Sequence, residues 1–200
     1  PTYSLQMYKG LVPEMKENAE YPGTYSYKYP KAGQKNSTVS VLSYDIQARQ
    51  TRKMQLQIDN DGYIPRIKAT SDAQKIIVYT MNRHQDQLCL YGVNPRSTVC
   101  KLLIKESVPK YVKEEAMANI FISSNHILLP SDRSGYMQLY LYSMTGQLQR
   151  KVTDGQYDVT DVFGYDEQTG DVYYQAVGKK PMSREIYVTK RNGKTECLTA

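Results

Sequence analysis

Leu88-Cys89-Leu90-Tyr91, Leu139-Tyr140-Leu141-Tyr142 and Ile186-Tyr187-Val188 resemble one another and start 51 and then 47 positions apart. Each follows an apolar strand-like run, and each precedes a turn signal: Asn94-Pro95, Thr145-Gly146 and Asn192-Gly193. A repeat of roughly 40 to 50 residues holding about four strands is the pattern of β-propeller blades. Outward from these anchors the chain divides into fours. Tyr63 to Ala69, Lys75 to Met81, Gln87 to Tyr91 and Thr98 to Ile104 form one set. Met117 to Ile122, Ile127 to Ser131, Tyr136 to Ser143 and Gln147 to Thr153 form the next. Val159 to Tyr165, Asp171 to Val177, Glu185 to Lys190 and Thr195 to Thr199 form the third. Ahead of them, Thr38 to Ile46 and Lys53 to Ile58 read as half a blade closed by the turn Asp59-Asn60-Asp61-Gly62. The expected fold is all-β, a partial propeller of about three and a half four-stranded blades over residues 38–200. Residues 1–37, with six Tyr, four Pro and three Gly and little periodicity, read as an irregular arm or connection. The most helix-like stretch, Val108 to Met117, is expected to be a short loop or a single turn.

Composition fits a packed β fold. The chain has 19 Tyr, 2 Phe and no Trp, and Tyr suits sheets with one packed and one wet face because its body is apolar and its tip polar. The net charge of +6 could attract an anion, but the basic residues are scattered, and the densest pairs, Lys179-Lys180 and Lys190-Arg191, fall at turns. A phosphate-tracking surface gathers its charges on one face, so no nucleic-acid partner is expected. No apolar window is long enough to span a membrane, and the first residues lack the charged start and apolar core of a signal peptide.

Chemistry-bearing patterns are sparse. A Gly-x-Ser-x-Gly elbow is absent, and His84 and His126 sit in or beside turns, where surface roles outnumber catalytic ones. Three Cys and two His have no zinc spacing, so no metal or cofactor is expected. An EF-hand reading of Asp59 to Gly62 would put Gln57 and Lys68 where carboxylates are required. Glu114-Glu115 could grip an amine or could be a solvated charged loop. Cys89 and Cys100 end two runs that a hairpin could set opposite one another; spacing leaves open both a disulfide and two buried thiols.

Tyr29-Pro30-Lys31-Ala32-Gly33-Gln34-Lys35-Asn36-Ser37-Thr38-Val39 resembles a signature stretch of the dipeptidyl peptidase IV family, in its N-terminal propeller. Tyr63-Ile64-Pro65-Arg66-Ile67, Met81-Asn82-Arg83, Ser134-Gly135-Tyr136 and Asp158-Val159-Thr160-Asp161 look like bacterial members of that family. The resemblance implies an eight-bladed ring capping a serine-type α/β-hydrolase domain, in a parent that removes Xaa-Pro or Xaa-Ala dipeptides from peptide N-termini. It places the catalytic residues, and the glutamates that hold the substrate amine, outside this chain, which by itself is expected to be no enzyme and to form part of the chamber through which peptides enter. Partners implied are the hydrolase domain of the same parent chain and peptide substrates, in the periplasm or outside the cell; a homodimeric parent is left open. The loop from Val108 to Glu115 resembles a family segment near the pocket rim, which makes Tyr111, Lys113 and Glu115 rim candidates. Cys89 and Cys100 lie in a hairpin where animal relatives carry a disulfide. The competing class is a non-enzymatic propeller that binds a peptide or protein.

Overall fold

The computed structural model describes residues 8–14, 23–178 and 180–199, with side chains from residue 29 onward. Three four-stranded antiparallel sheets follow one another along the chain. The first is β5 (Tyr63–Ala69), β6 (Ile76–Met81), β7 (Gln87–Val93) and β8 (Cys100–Ser107). The second is β9 (Phe121–Ile122), β10 (His126–Ser131), β11 (Gln138–Ser143) and β12 (Leu148–Lys151). The third is β13 (Val159–Tyr165), β14 (Val172–Val177), β15 (Arg184–Thr189) and β16 (Thr195–Cys197). Before them, β3 (Leu42–Asp45) and β4 (Gln50–Lys53) pair as a half-blade, and β1 (Tyr8–Glu14) pairs with β2 (Gly23–Tyr29). The partial propeller of three and a half blades is therefore present. Two local expectations change. The stretch read as an irregular arm contains the β1–β2 hairpin, and the strand expected from Met117 is shortened to Phe121–Ile122 because a helix, α1 (Glu114–Ala118), takes Met117.

Strand alternation explains how the sheets stack. In β6, Ile77, Tyr79 and Met81 enter a core shared with the second sheet, where they meet Ile127, Leu129, Tyr140 and Tyr142. Val78, on the opposite face, packs with Val41, Met54, Tyr91 and Val93 in the seam with the half-blade. The second sheet is used the same way: Leu128, Leu139 and Leu141 turn from the first seam into a second one, against Val159, Val172, Tyr174 and Ala176. Successive side chains point to opposite faces, so a sheet sandwiched between two neighbours reads as a continuous buried run rather than an alternation. Each such Leu, Ile or Tyr removed from water contributes about 1.5–3 kcal/mol. By contrast, β14 alternates, with Val172, Tyr174 and Ala176 buried and Tyr173 more exposed. Phe163 and Tyr173 at one end of the stack, and Leu42, Tyr44 and Ile46 at the other, are exposed apolar residues.

Candidate functional site

The chain leaves β8 and crosses to the next blade through residues 108–120. Backbone bonds hold this crossover to the β6–β7 turn: the Val108 N–H donates to the Asp86 carbonyl at 2.9 Å and the Val112 N–H to the Gln85 carbonyl at 2.7 Å. Lys113, extended at φ −68° and ψ 140°, precedes α1. Five residues have little helical stability of their own. Here Ala116 and Met117 are buried and the acidic Glu114 and Glu115 occupy the first turn, where the helix dipole favours negative charge.

The crossover touches the first strands of all three blades. Arg66 of β5 pairs with Glu114 at 3.4 Å, and the Lys68 ammonium donates to the Ile120 carbonyl at 2.9 Å. Burial, followed by the neighbouring Arg66 charge, pulls the Lys68 pKa below its ordinary value. On the other side, the Asn119 side-chain amide donates to the Thr160 carbonyl of β13 at 3.2 Å, and Gly164 faces the Phe121 ring. In a propeller, blades surround a central passage, so α1 lies where the first strands converge.

Between α1 and β13 is a cleft of about 340 Å³. Ala116, Pro130, Met137, Val159 and Val162 supply its apolar lining, and Lys113, Glu115, Asn119, Asp158 and Thr160 its polar groups. Asp158 Oδ1 accepts the Met137 N–H at 2.6 Å, and Lys113 pairs with Asp132 at 3.4 Å. Of the three rim residues expected from the sequence, Lys113 and Glu115 line this cleft; Tyr111 is exposed and does not. Asp158, Asn119 and Thr160 carry no individual signal as site residues in the sequence, because nothing local to them brings β13 to α1.

The β10–β11 turn is anchored by an ion pair whose carboxylate is buried and whose guanidinium is about a third exposed. Glu106 of β8 accepts from Ser131 Oγ and from the Arg133 guanidinium. Arg133 also donates to Ser131 Oγ at 3.0 Å and to the Tyr142 hydroxyl at 3.1 Å, and lies 4.2 Å from the centre of the Tyr140 ring. A buried carboxylate survives only when paired and hydrogen-bonded, and here both oxygens are engaged. Arg83, two residues past the end of β6 as Arg133 is past the end of β10, makes a looser counterpart, donating to the Tyr63 hydroxyl at 3.0 Å.

A second clamp joins the β9–β10 turn to the β13–β14 turn. Glu167 accepts from Ser123 Oγ at 2.6 Å and from the Asn125 N–H at 2.8 Å, and its other oxygen lies 2.8 Å from His126 Nδ1. His126, expected as a surface turn residue, is thus a blade-to-blade contact, while His84 is exposed. Burial opposes charge on Glu167, but hydrogen bonds from Ser123, Asn125 and His126 outweigh it and hold the carboxyl below its ordinary value. A lowered folded-state pKa gives stability that is present above the unfolded carboxylate value of about 4.3 and lost as pH falls through the folded one. Glu167→Gln is therefore expected to lower the thermal midpoint at pH 7 by roughly 2–4 °C, with wild type and variant converging as pH falls below the unfolded value and through the lower folded one. A constant difference across a pH series of melting curves would contradict this role.

Cys89, Cys100 and Cys197 are free thiols. The hairpin expected to set Cys89 opposite Cys100 exists, but its register pairs Cys89 with Lys105 and Cys100 with Val93. The two are offset by about four residues along the strands, roughly 13 Å, well beyond the reach of a disulfide. Burial pushes both thiol pKa values above the ordinary range.

Comparison with known proteins agrees with this architecture. The family model described as dipeptidyl peptidase IV (DPP IV) N-terminal region matches residues 6–200. The crystal structure of Porphyromonas gingivalis dipeptidyl peptidase 4 superposes with a TM-score of 0.85 at 36% identity, covering 98% of this chain and 27% of that one. The "Probable dipeptidyl-aminopeptidase B" of Uncinocarpus reesii is 24% identical over 96% of this chain and 23% of its own length. Dipeptidyl peptidase 4 of Trichophyton rubrum is 23% identical over 94% of this chain and 25% of its own. The chain thus spans about a quarter of the length of the curated relatives it matches. With its stacked blades, its crossover helix and a family match over nearly every residue, the chain belongs to the dipeptidyl peptidase IV N-terminal region family.

Proposed function

We propose that this chain is a section of the propeller of an exported serine dipeptidyl peptidase, and that it walls the chamber through which peptides reach a hydrolase domain elsewhere in the parent. The parent cleaves after an N-terminal Xaa-Pro or Xaa-Ala dipeptide, and its serine forms an acyl-enzyme that water then releases. This section supplies no nucleophile; its contribution is to position and to exclude. The observation that carries the reading is the similarity to P. gingivalis dipeptidyl peptidase 4 over 98% of the chain at 36% identity. The uncovered apolar residues at both ends of the stack support it too, because in a closed ring each would be covered by a neighbouring blade.

The test is hydrolysis of a Gly-Pro chromogenic substrate by the full-length parent, with release of Gly-Pro from a longer peptide followed by mass spectrometry. Turnover of both is expected. Absence of turnover would assign the propeller to peptide or protein binding without catalysis.

A further inference from the structure

We propose that the cleft between α1 and β13 is a subsite for a basic side chain, Lys or Arg, on a peptide lying in the chamber. The inference rests on the dipeptidyl peptidase reading and adds a substrate preference to it.

Charge and shape in the cleft select this occupant. The floor is apolar and largely buried: Ala116, Met137 and Val159 are each less than a tenth exposed. Two exposed carboxylates are among the lining groups, Glu115 on α1 and Asp158 on the segment entering β13. Glu115 has no ion pair or side-chain hydrogen bond among the described residues. Asp158 uses Oδ1 for the Met137 N–H, and no bond among the described residues engages Oδ2. Among the described residues, Lys113 is the only basic group in the lining, and it is paired with Asp132. An apolar trough with two uncompensated negative charges complements a side chain with a long aliphatic stem and a cationic head, which buries the stem and leaves the head at the carboxylates. A carboxylate or phosphate ligand would meet repulsion, and a purely apolar side chain would leave both charges unanswered. The cleft lies beside the first strands, which border the passage of a closed propeller, so a peptide in the chamber passes within its reach.

The experiment uses the full-length parent and a peptide series beginning Gly-Pro, in which one downstream position at a time carries Lys, norleucine or Glu in a Ser/Ala background. At one or more positions Lys is expected to lower KM about 3–10-fold relative to norleucine, the range of one or two partly exposed ion pairs. The kcat is expected to be unchanged, and Glu is expected to raise KM. The Lys advantage should shrink at about 0.5 M salt, as exposed charges are screened. It should vanish in the double variant Glu115→Gln/Asp158→Asn, in which the amide oxygen introduced at position 158 still accepts the Met137 N–H; a melting curve checks that the variant folds. Equal KM values for Lys and norleucine at every position would overturn the subsite while leaving the peptidase reading intact. Persistence of the Lys preference in the double variant would do the same. If no peptide is hydrolysed, the peptidase reading falls, and the cleft is then tested by fluorescence anisotropy with acetylated, labelled versions of the same peptides. Tighter binding of the Lys peptide to wild type than to the double variant supports the subsite; equal binding overturns it.

Discussion

Arg133→Met is expected to destabilise the protein by about 3 kcal/mol, read as a fall in the urea midpoint at an unchanged slope. The variant keeps an aliphatic stem but removes the guanidinium, which lies over the Tyr140 ring and neutralises Glu106, whose side chain is only 6% exposed. Ser131 alone then solvates a buried carboxylate, and the Tyr142 hydroxyl loses its partner. Most of the expected loss is the penalty for an uncompensated charge, not the intrinsic worth of the pair, since buried ion pairs can be replaced by apolar residues at little cost. The double variant Glu106→Leu/Arg133→Met should therefore recover most of the stability. Wild type, the two single variants and the double variant form a cycle whose coupling reports the pair directly. A double variant as unstable as the sum of the two singles would mean that Glu106 and Arg133 act independently, and the anchoring of the β10–β11 turn would need another explanation.

Gly146→Ala is expected to cost about 3 kcal/mol or more, from two effects that add. Gly146 has φ +92°, where an L side chain is strained. A Cβ there would also run into the Leu103 carbonyl oxygen, a backbone atom on the outer strand of the neighbouring blade. The tip of the β11–β12 turn is thus pressed against β8, and one methyl must push two blades apart. Gly193 is the control: its φ is +86° and nothing lies within 4 Å of its Cβ position. Gly193→Ala should therefore cost only the backbone term, about 1 kcal/mol. Equal effects at the two glycines in denaturant unfolding would contradict the close approach between blades.

The blade pattern was legible because its signals are local. Alternation in runs such as Val172-Tyr173-Tyr174, together with turn pairs such as Thr145-Gly146, marks strands and their ends without knowledge of neighbours. What was missed depends on neighbours or falls below the length at which a pattern shows. A single turn within Val108 to Met117 is one of two readings of that stretch; α1 is too short to show a helical period, and it forms because the crossover is held at both ends. In the hairpin of β1 and β2, Tyr25, Tyr27 and Tyr29 do alternate, but Pro and Gly on either side made the segment read as irregular. The thiols illustrate register: spacing allows Cys89 to face Cys100, and the pairing of Val93 with Cys100 prevents it. At the candidate site, Lys113 and Glu115 could be proposed from one loop. Asp158 joins them only because the β13 end of the next blade folds against α1, more than 40 residues along the chain.

The most direct test of the account is a side-by-side assay of Gly-Pro chromogenic substrate with the full-length parent and with residues 1–200 alone. Hydrolysis is expected from the parent and none from residues 1–200 alone. Hydrolysis by residues 1–200 alone, or its absence in both proteins, would contradict it.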